Sequence, residues 1–300
     1  MAKHISIIFK NIGQVLFLSN HWSGFIITVA LFIGDWKVGG MALLSSIIAY
    51  VLTPIFHYPI EEIEDGRAGV NSVLTGVALH LFLTPSWQSI VVTLLGVALT
   101  MPVGAAFRAM MNVFRLPMLT FPFVFVSWMF LFMSFQYDYV NANVNILPSS
   151  VEKISFSKEP IDILSTLFSS FSEVFLLNHA IVGILIIAAI FIATRKGAVL
   201  AMIGSAIGAL FVFMLGGHHD QISAGLFGYN VILVVLALGY AFPTPKYTNI
   251  NILAGIMLTC VVHAGLLTWL MPFGLPVFTL PFIVATWLLL LAHRTAERAA

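Results

Sequence analysis

Two polar side chains stand in apolar surroundings at positions related by a fixed offset. Gln14 and Glu173 are 159 residues apart, and a valine and further apolar residues follow each of them. An amide and a carboxylate of similar reach would present two hydrogen-bond acceptors, only one of them charged. Ionisable groups at membrane depth are costly and usually functional. Glu173 could also cap the N-terminus of a half-helix, where the dipole favours a carboxylate, and the two roles are compatible.

A second repeated motif is the octet Leu-Pro-x-x-Thr-x-Pro-Phe. It spans 116–123 and recurs at 275–282, again 159 residues later. Proline disfavours a helix interior but is tolerated in a first turn, so the two prolines of the octet predict a break, with a helix starting just after Thr120 and Thr279. Threonine is a common N-cap. However, a broken helix inside a bilayer is tolerated only against protein or a water-filled path. The duplication therefore favours a functional break over capping alone.

The rest of the chain repeats at the same offset, through the pairs Gly24 and Gly183, Asn71 and Asn230, Thr100 and Thr259, and Trp128 and Trp287. Each copy contains six apolar segments, which in the first copy cover 5–18, 23–34, 41–56, 70–83, 90–107 and 120–135. The first segment is too short and too polar to span a bilayer, so we predict a re-entrant half-helix. The other five are predicted to cross, and an odd number of crossings inverts the second copy.

The apolar composition of the chain requires a lipid bilayer as its surroundings. Of 300 residues, 60% are hydrophobic and only 8% are charged, whereas a soluble domain carries about 25% charged residues. We predict an all-α polytopic membrane protein. It has two inverted-topology repeats of five transmembrane helices plus one re-entrant half-helix each, with a pore between the halves. The predicted divisions are a first repeat over 1–136, an extracellular or periplasmic linker over 137–164 and a second repeat over 165–300.

The basic residues support this topology. With five crossings in each half, ten Lys and Arg residues fall on one side and only Lys37, Lys153 and Lys158 on the other. The positive-inside rule then places both termini in the cytoplasm. A net charge of +1 disfavours nucleic acid as a partner.

Other chemistry finds little support in the sequence. Cys260 is the only cysteine, so neither a disulfide within the chain nor a multi-cysteine metal site can form. His80 and His263 are not related by the offset, and His218-His219-Asp220 has no evident further ligand, so we assign the histidines structural roles. Neither a phosphate loop nor a Ser/His/Asp arrangement is suggested by spacing. We therefore predict no enzyme, no cofactor and no metal.

The twin octets resemble the signature of the urea transporter family. The segments around Gln14-Val15-x-Phe17, Glu173-Val174, Gly69-Val70-Asn71 and Gly228-Tyr229-Asn230 are similar to its other repeated blocks. The resemblance implies a homotrimer in a bacterial inner membrane, with one pore per subunit passing urea passively. It assigns Gln14 and Glu173 to the two ends of a filter, Thr120 and Thr279 to its middle, and the flat walls to Phe17, Val70, Val174, Leu176 and Tyr229.

Two positions depart from the expected pattern of walls. Val70 stands where the family often has an aromatic residue, and Leu176 is the repeat equivalent of Phe17. A channel for short amides or ammonia with the same architecture is therefore an alternative. Ion-coupled transport is a weaker one, because Glu173 alone could serve as a coupling site.

Overall fold

The computed structural model describes residues 2–142, 163–244 and 247–299. Over these residues the chain is helical, and its only β pairing is an isolated bridge between Leu83 and Ala142. The chain divides into two compact units, Met1–Val144 and Asn145–Ala300. The linker predicted over 137–164 lies largely outside the described residues.

Unit 1 is a series of helices separated at glycine, proline and asparagine positions. Its described helices are α1 (Ala2–Gly13), α2 (His21–Gly34), α3 (Trp36–Leu52), α4 (Ile60–Asp65), α5 (Val70–Phe82), α6 (Trp87–Val113) and α7 (Phe121–Met133). Side-chain caps fix several of the starts. Asn20 accepts from the Trp22 N–H, and Asp35 accepts from the Lys37 N–H, as expected for residues that satisfy the orphan donors of a first turn.

Unit 2 contains the same series of helices. They are α8 (Ile163–Ser172), α9 (Ala180–Ala193), α10 (Arg195–Met214), α11 (His219–Ser223), α12 (Gly228–Leu236), α13 (Thr248–Leu270) and α14 (Leu280–Ala299). A π-helical turn at Ala237–Ala241 follows α12. Thr194 caps α10 by accepting from the Gly197 N–H.

The backbone repeats at the 159-residue offset as closely as the sequence does. Left-handed residues recur in pairs, namely Phe17 and Leu176, His57 and Gly216, Gly66 and Gly225, Arg115 and Gly274, and Leu119 and Phe278. Such conformations are uncommon outside glycine. Their recurrence at one spacing shows that each unit breaks its helices in the same places.

The first two helices of each unit approach through their backbones. A Cβ placed on Gly24 would lie 1.9 Å from the Phe9 carbonyl oxygen, and one on Gly183 would lie 1.9 Å from the Phe168 carbonyl oxygen. Glycine is required here because no side chain fits in that space. The chain bends by 78° between α1 and α2 and by 77° between α8 and α9.

By length and composition, three helical runs in the described chain can cross a membrane. They are Trp87–Val113, Arg195–Met214 and Thr248–Phe273, and the number becomes five if each bent pair forms one span. Five further apolar helices have 10–17 residues. Multiple apolar helices are thus confirmed, and the ten-crossing inverted topology stays a prediction.

One short helix lies at the centre of each unit. Every residue from Val70 to Leu79 is buried, as is every residue of α12. In unit 1, α5 packs against α3, α6 and α7, and in unit 2, α12 packs against α10, α13 and α14. A 13-residue helix rises only about 20 Å, and two of the helices that pack against α5, α3 and α6, are longer than it is.

Candidate functional site

Gln14 lies in a short 3₁₀ turn, Gln14–Leu16, that follows the C-terminus of α1. Its amide nitrogen donates to the Ser19 hydroxyl at 2.8 Å and to the Asp65 carbonyl at 2.9 Å. Because a carbonyl can only accept, the nitrogen must face Asp65. The amide oxygen therefore points away from these two partners and accepts no hydrogen bond from the described residues. The residue is only 7% exposed.

Glu173 occupies the equivalent turn of unit 2, Glu173–Phe175, and is 9% exposed. Its carboxylate forms no hydrogen bond or ion pair with any described residue. The N-terminal capping role considered for it is wrong, because Glu173 follows the last residue of α8 and the next helix starts after His179. A helix C-terminus disfavours negative charge, so local structure does not explain a carboxylate here.

Asn71 and Asn230 hold the break within the octets. The Asn71 amide donates to the Leu119 carbonyl at 3.2 Å and accepts from the Phe123 N–H at 3.1 Å. Asn230 makes the corresponding bonds to the Phe278 carbonyl at 3.0 Å and from the Phe282 N–H at 3.3 Å. Sequence reasoning used these asparagines only as markers of the repeat. The signal that could have identified them is an asparagine at the same position of an apolar helix in both copies of the repeat.

Thr120 and Thr279 directly precede α7 and α14 and are buried. The predicted helix starts are confirmed at both positions. The Thr120 side chain, however, makes no capping hydrogen bond to α7. Capping alone is therefore wrong as an explanation for Thr120, because the Asn71 side chain takes the first-turn N–H instead.

The predicted wall residues differ between the units. Val70 and Tyr229 are both buried at the start of the central helix. The Tyr229 hydroxyl donates to the Phe278 carbonyl at 2.5 Å, a bond that valine cannot make. Phe17 and Leu176 both adopt φ near 60° directly after their 3₁₀ turns. Val174, in the second of these turns, is buried.

In each unit these residues surround the central helix. The turn containing Gln14 and helix α7 both pack on α5, and the turn containing Glu173 and helix α14 both pack on α12. Each unit thus places its 3₁₀ turn and the helix that follows its threonine against the central helix. The site assignments themselves stay predictions.

Ion pairs hold α4 in place. The last residue of this helix, Asp65, supplies the carbonyl that accepts from Gln14. Arg108 pairs with Glu62 at 3.0 Å, and both side chains are half-buried. The guanidinium also lies 4.4 Å from the centre of the Tyr58 ring, and burial raises the pKa of Tyr58 to about 12. These contacts keep α4 against α6 and so hold the Asp65 carbonyl in place.

Basic residues collect at this end of unit 1. Lys3 pairs with the Glu64 carboxylate at 2.7 Å, and Lys10 donates to the Glu64 carbonyl at 2.9 Å. The hydrogen bond from Lys3, and then its charge, hold the pKa of the Glu64 carboxyl below its usual range. Together with Arg108, these lysines were predicted from sequence to share one side of the membrane, and their contacts bring them to one short helix. Lys37 lies at the start of α3.

Among the described residues, no three His, Cys, Asp or Glu side chains lie close enough to share an ion. His263 is buried, with its ring 4.5 Å from that of Phe227 and its Nδ1 3.4 Å from the Asn230 amide nitrogen. These are packing contacts of a core histidine.

The apolar helices define an integral, multi-pass membrane protein with buried polar groups at the breaks between its helices. The sequence model described as "Urea transporter" matches residues 5–294. The chain therefore belongs to the urea transporter family, which confirms the resemblance carried by the octets. Members of this family are passive transporters and not enzymes, so urea transport across a membrane is the activity of its class.

Curated relatives agree with the family match. The chain is 23% identical to urea transporter 1 of Ovis aries over 292 residues, which cover 95% of this chain and 76% of the relative. It is 25% identical to urea transporter 1 of Rattus norvegicus over 293 residues, with the same coverage of both chains.

Proposed function

We propose that this protein passes urea passively, in a channel-like manner, through a narrow filter edged by Gln14, Thr120, Glu173 and Thr279. The observation that carries the proposal is the pair of buried acceptors at equivalent breaks. The Gln14 amide oxygen is turned away from the groups that hold its nitrogen. The Glu173 carboxylate has no hydrogen-bond partner among the described residues. Both positions retain acceptor capacity for a donor supplied from outside.

Urea suits such acceptors. It is flat and neutral, with four N–H bonds that must keep hydrogen-bond partners when water is removed. Each unpaired polar group in an apolar environment costs several kcal/mol, so oxygens along the path lower the barrier. A filter of this kind must also bind weakly enough to release its solute.

The walls bear on which solutes pass. Phe17, Val70, Val174, Leu176 and Tyr229 are the wall residues of the proposed filter, stacking the solute between apolar and aromatic faces. Val70 lacks both the ring and the hydroxyl that Tyr229 has at the equivalent position. That difference favours, as a second candidate, passage of slightly bulkier short amides, with ammonia as a further solute.

The wider assembly follows from the family and from charge. We propose a homotrimer with one pore per subunit in a bacterial inner membrane and with both termini in the cytoplasm. Lys3, Lys10 and Arg108 lie around one short helix of unit 1, as the positive-inside rule requires of a cytoplasmic end. The arrangement of the pore between two inverted halves stays a prediction from the repeat.

Proteoliposomes test the function directly. Stopped-flow light scattering reports shrinkage and re-swelling of vesicles in gradients of urea, acetamide and methylamine. Urea flux well above that of empty vesicles, without any ion gradient, is the expected result. Flux that required a sodium or proton gradient would overturn passive transport. Acetamide flux equal to that of urea would favour the short-amide channel.

A further inference from the structure

Each octet contains a strained residue whose carbonyl needs a donor. Leu119 and Phe278 have φ of 53° and 48°, in the left-handed region that larger side chains rarely adopt. Both residues directly precede the threonine of the octet. A left-handed residue turns its carbonyl away from the following helix, so that a buried carbonyl there must be satisfied from elsewhere.

The asparagines supply both partners that the break lacks. The Phe123 N–H lies in the first turn of α7, where backbone donors have no intrahelical acceptor, whereas Pro122 has no N–H to satisfy. One Asn71 side chain accepts from that N–H and donates to the Leu119 carbonyl, which bridges the backbone on both sides of Thr120. Asn230 bridges the backbone on both sides of Thr279 in the same way.

We propose that Asn71 and Asn230 are positioning residues that fix the place of Thr120 and Thr279 along the path of the solute. This inference rests on the proposed function. The asparagines do not touch the solute. They act by holding the peptide groups on either side of each threonine, so that its position is set before urea arrives.

The two bridges are not equivalent. The Phe278 carbonyl accepts from Asn230 and also from the Tyr229 hydroxyl. Val70 provides no such second donor to Leu119 in unit 1. Loss of Asn71 therefore releases its carbonyl completely, whereas loss of Asn230 leaves one bond in place. Thr120 depends on its asparagine more than Thr279 does.

The test is the ratio of urea to N-methylurea permeability in proteoliposomes. A variant that merely folds poorly lowers both fluxes equally and leaves the ratio unchanged. We expect Asn71→Ala to lower the ratio at least threefold, and Asn230→Ala to lower it less. Adding Tyr229→Phe to Asn230→Ala removes both donors to the Phe278 carbonyl. We expect this double variant to lower the ratio as much as Asn71→Ala does. Asn251→Ala, which removes a buried amide whose oxygen contacts His293 at 2.6 Å, is the matched control with an unchanged ratio.

A charge variant keeps the test decisive if alanine prevents folding. Asn71→Asp can still accept from Phe123, but it can donate to Leu119 only when protonated. Glu173 is present in both proteins, so the permeability ratio of Asn71→Asp is divided by the wild-type ratio at the same pH, and this quotient should recover on acidification from pH 7.5 to 5. A quotient that does not change with pH, or a ratio in Asn71→Ala equal to that in Asn251→Ala, overturns the positioning role. Wild-type vesicles without urea flux would overturn the proposed function and this inference together.

Discussion

Replacing Glu173 by leucine separates an effect on solute binding from an effect on folding more clearly than any other substitution in the proposed filter. The carboxylate has no partner among the described residues, so its removal leaves no orphaned donor in the protein. It also removes a polar group that is 9% exposed and lies at a helix C-terminus. We therefore expect the melting temperature in detergent to stay the same or to rise.

The effect on flux follows from the lost acceptor. If a urea N–H passes this position without a partner, the barrier rises by about 1–3 kcal/mol, the cost of an unsatisfied buried donor. That range corresponds to urea flux roughly 5- to 150-fold slower. Glu173→Gln keeps an acceptor oxygen and should stay within about tenfold of wild type, because it exchanges a charged hydrogen bond for a neutral one.

The measurement is urea efflux from proteoliposomes, normalised to the amount of folded protein. The glutamine variant is the control for loss of charge, because it keeps the length of the side chain and one acceptor oxygen. Equal flux in wild type and Glu173→Leu, with both proteins folded, would refute the assignment of Glu173 to the solute path.

Three further predictions concern groups that shape the site. Gly24→Ala forces a Cβ against a backbone oxygen 1.9 Å away and should destabilise the protein by about 3 kcal/mol or more. Gly265→Ala is the control, because a Cβ there has no atom within 4 Å and should not destabilise the protein. Thermal unfolding in detergent compares the two variants. Ser19→Ala removes one of the two acceptors of the Gln14 amide nitrogen, so the amide can rotate more freely. Urea flux should fall about three- to tenfold, an effect of about 1 kcal/mol, while the amount of folded protein stays the same. Val70→Tyr gives unit 1 the residue that unit 2 already has and should lower acetamide flux relative to urea flux; an unchanged ratio would contradict the role of this wall.

Repetition made the order of elements predictable from sequence. Helix starts after Thr120 and Thr279 followed from two prolines in an octet, and the structure begins α7 and α14 there. Segments outside the octets had less certain ends. The predicted span 90–107 is a longer helix, Trp87–Val113, which continues through Pro102. A proline inside a helix removes one backbone hydrogen bond, and the packing of α6 against α3, α5 and α7 offsets that cost.

For the proposed site, the sequence could suggest residue types but not the contacts between them. Equal spacing identified Gln14 and Glu173 as a pair. It could not reveal that Ser19 and Asp65 hold the first of them while the second has no such partners, because both contacts depend on how the chain folds back. The capping roles given to Glu173 and Thr120 failed for a related reason. Helix ends depend on tertiary hydrogen bonds, and a side chain from another helix can replace a local cap.

The close approach at Gly24 and Gly183 joins main chain to main chain, so it does not depend on which side chains surround it. The bend between the two helices can then stay the same while neighbouring side chains are exchanged, since the restraint is the missing Cβ itself. The side chains at the proposed filter can therefore vary while the packing of these helices stays the same. Solute specificity can change without a change in the helices that hold those side chains.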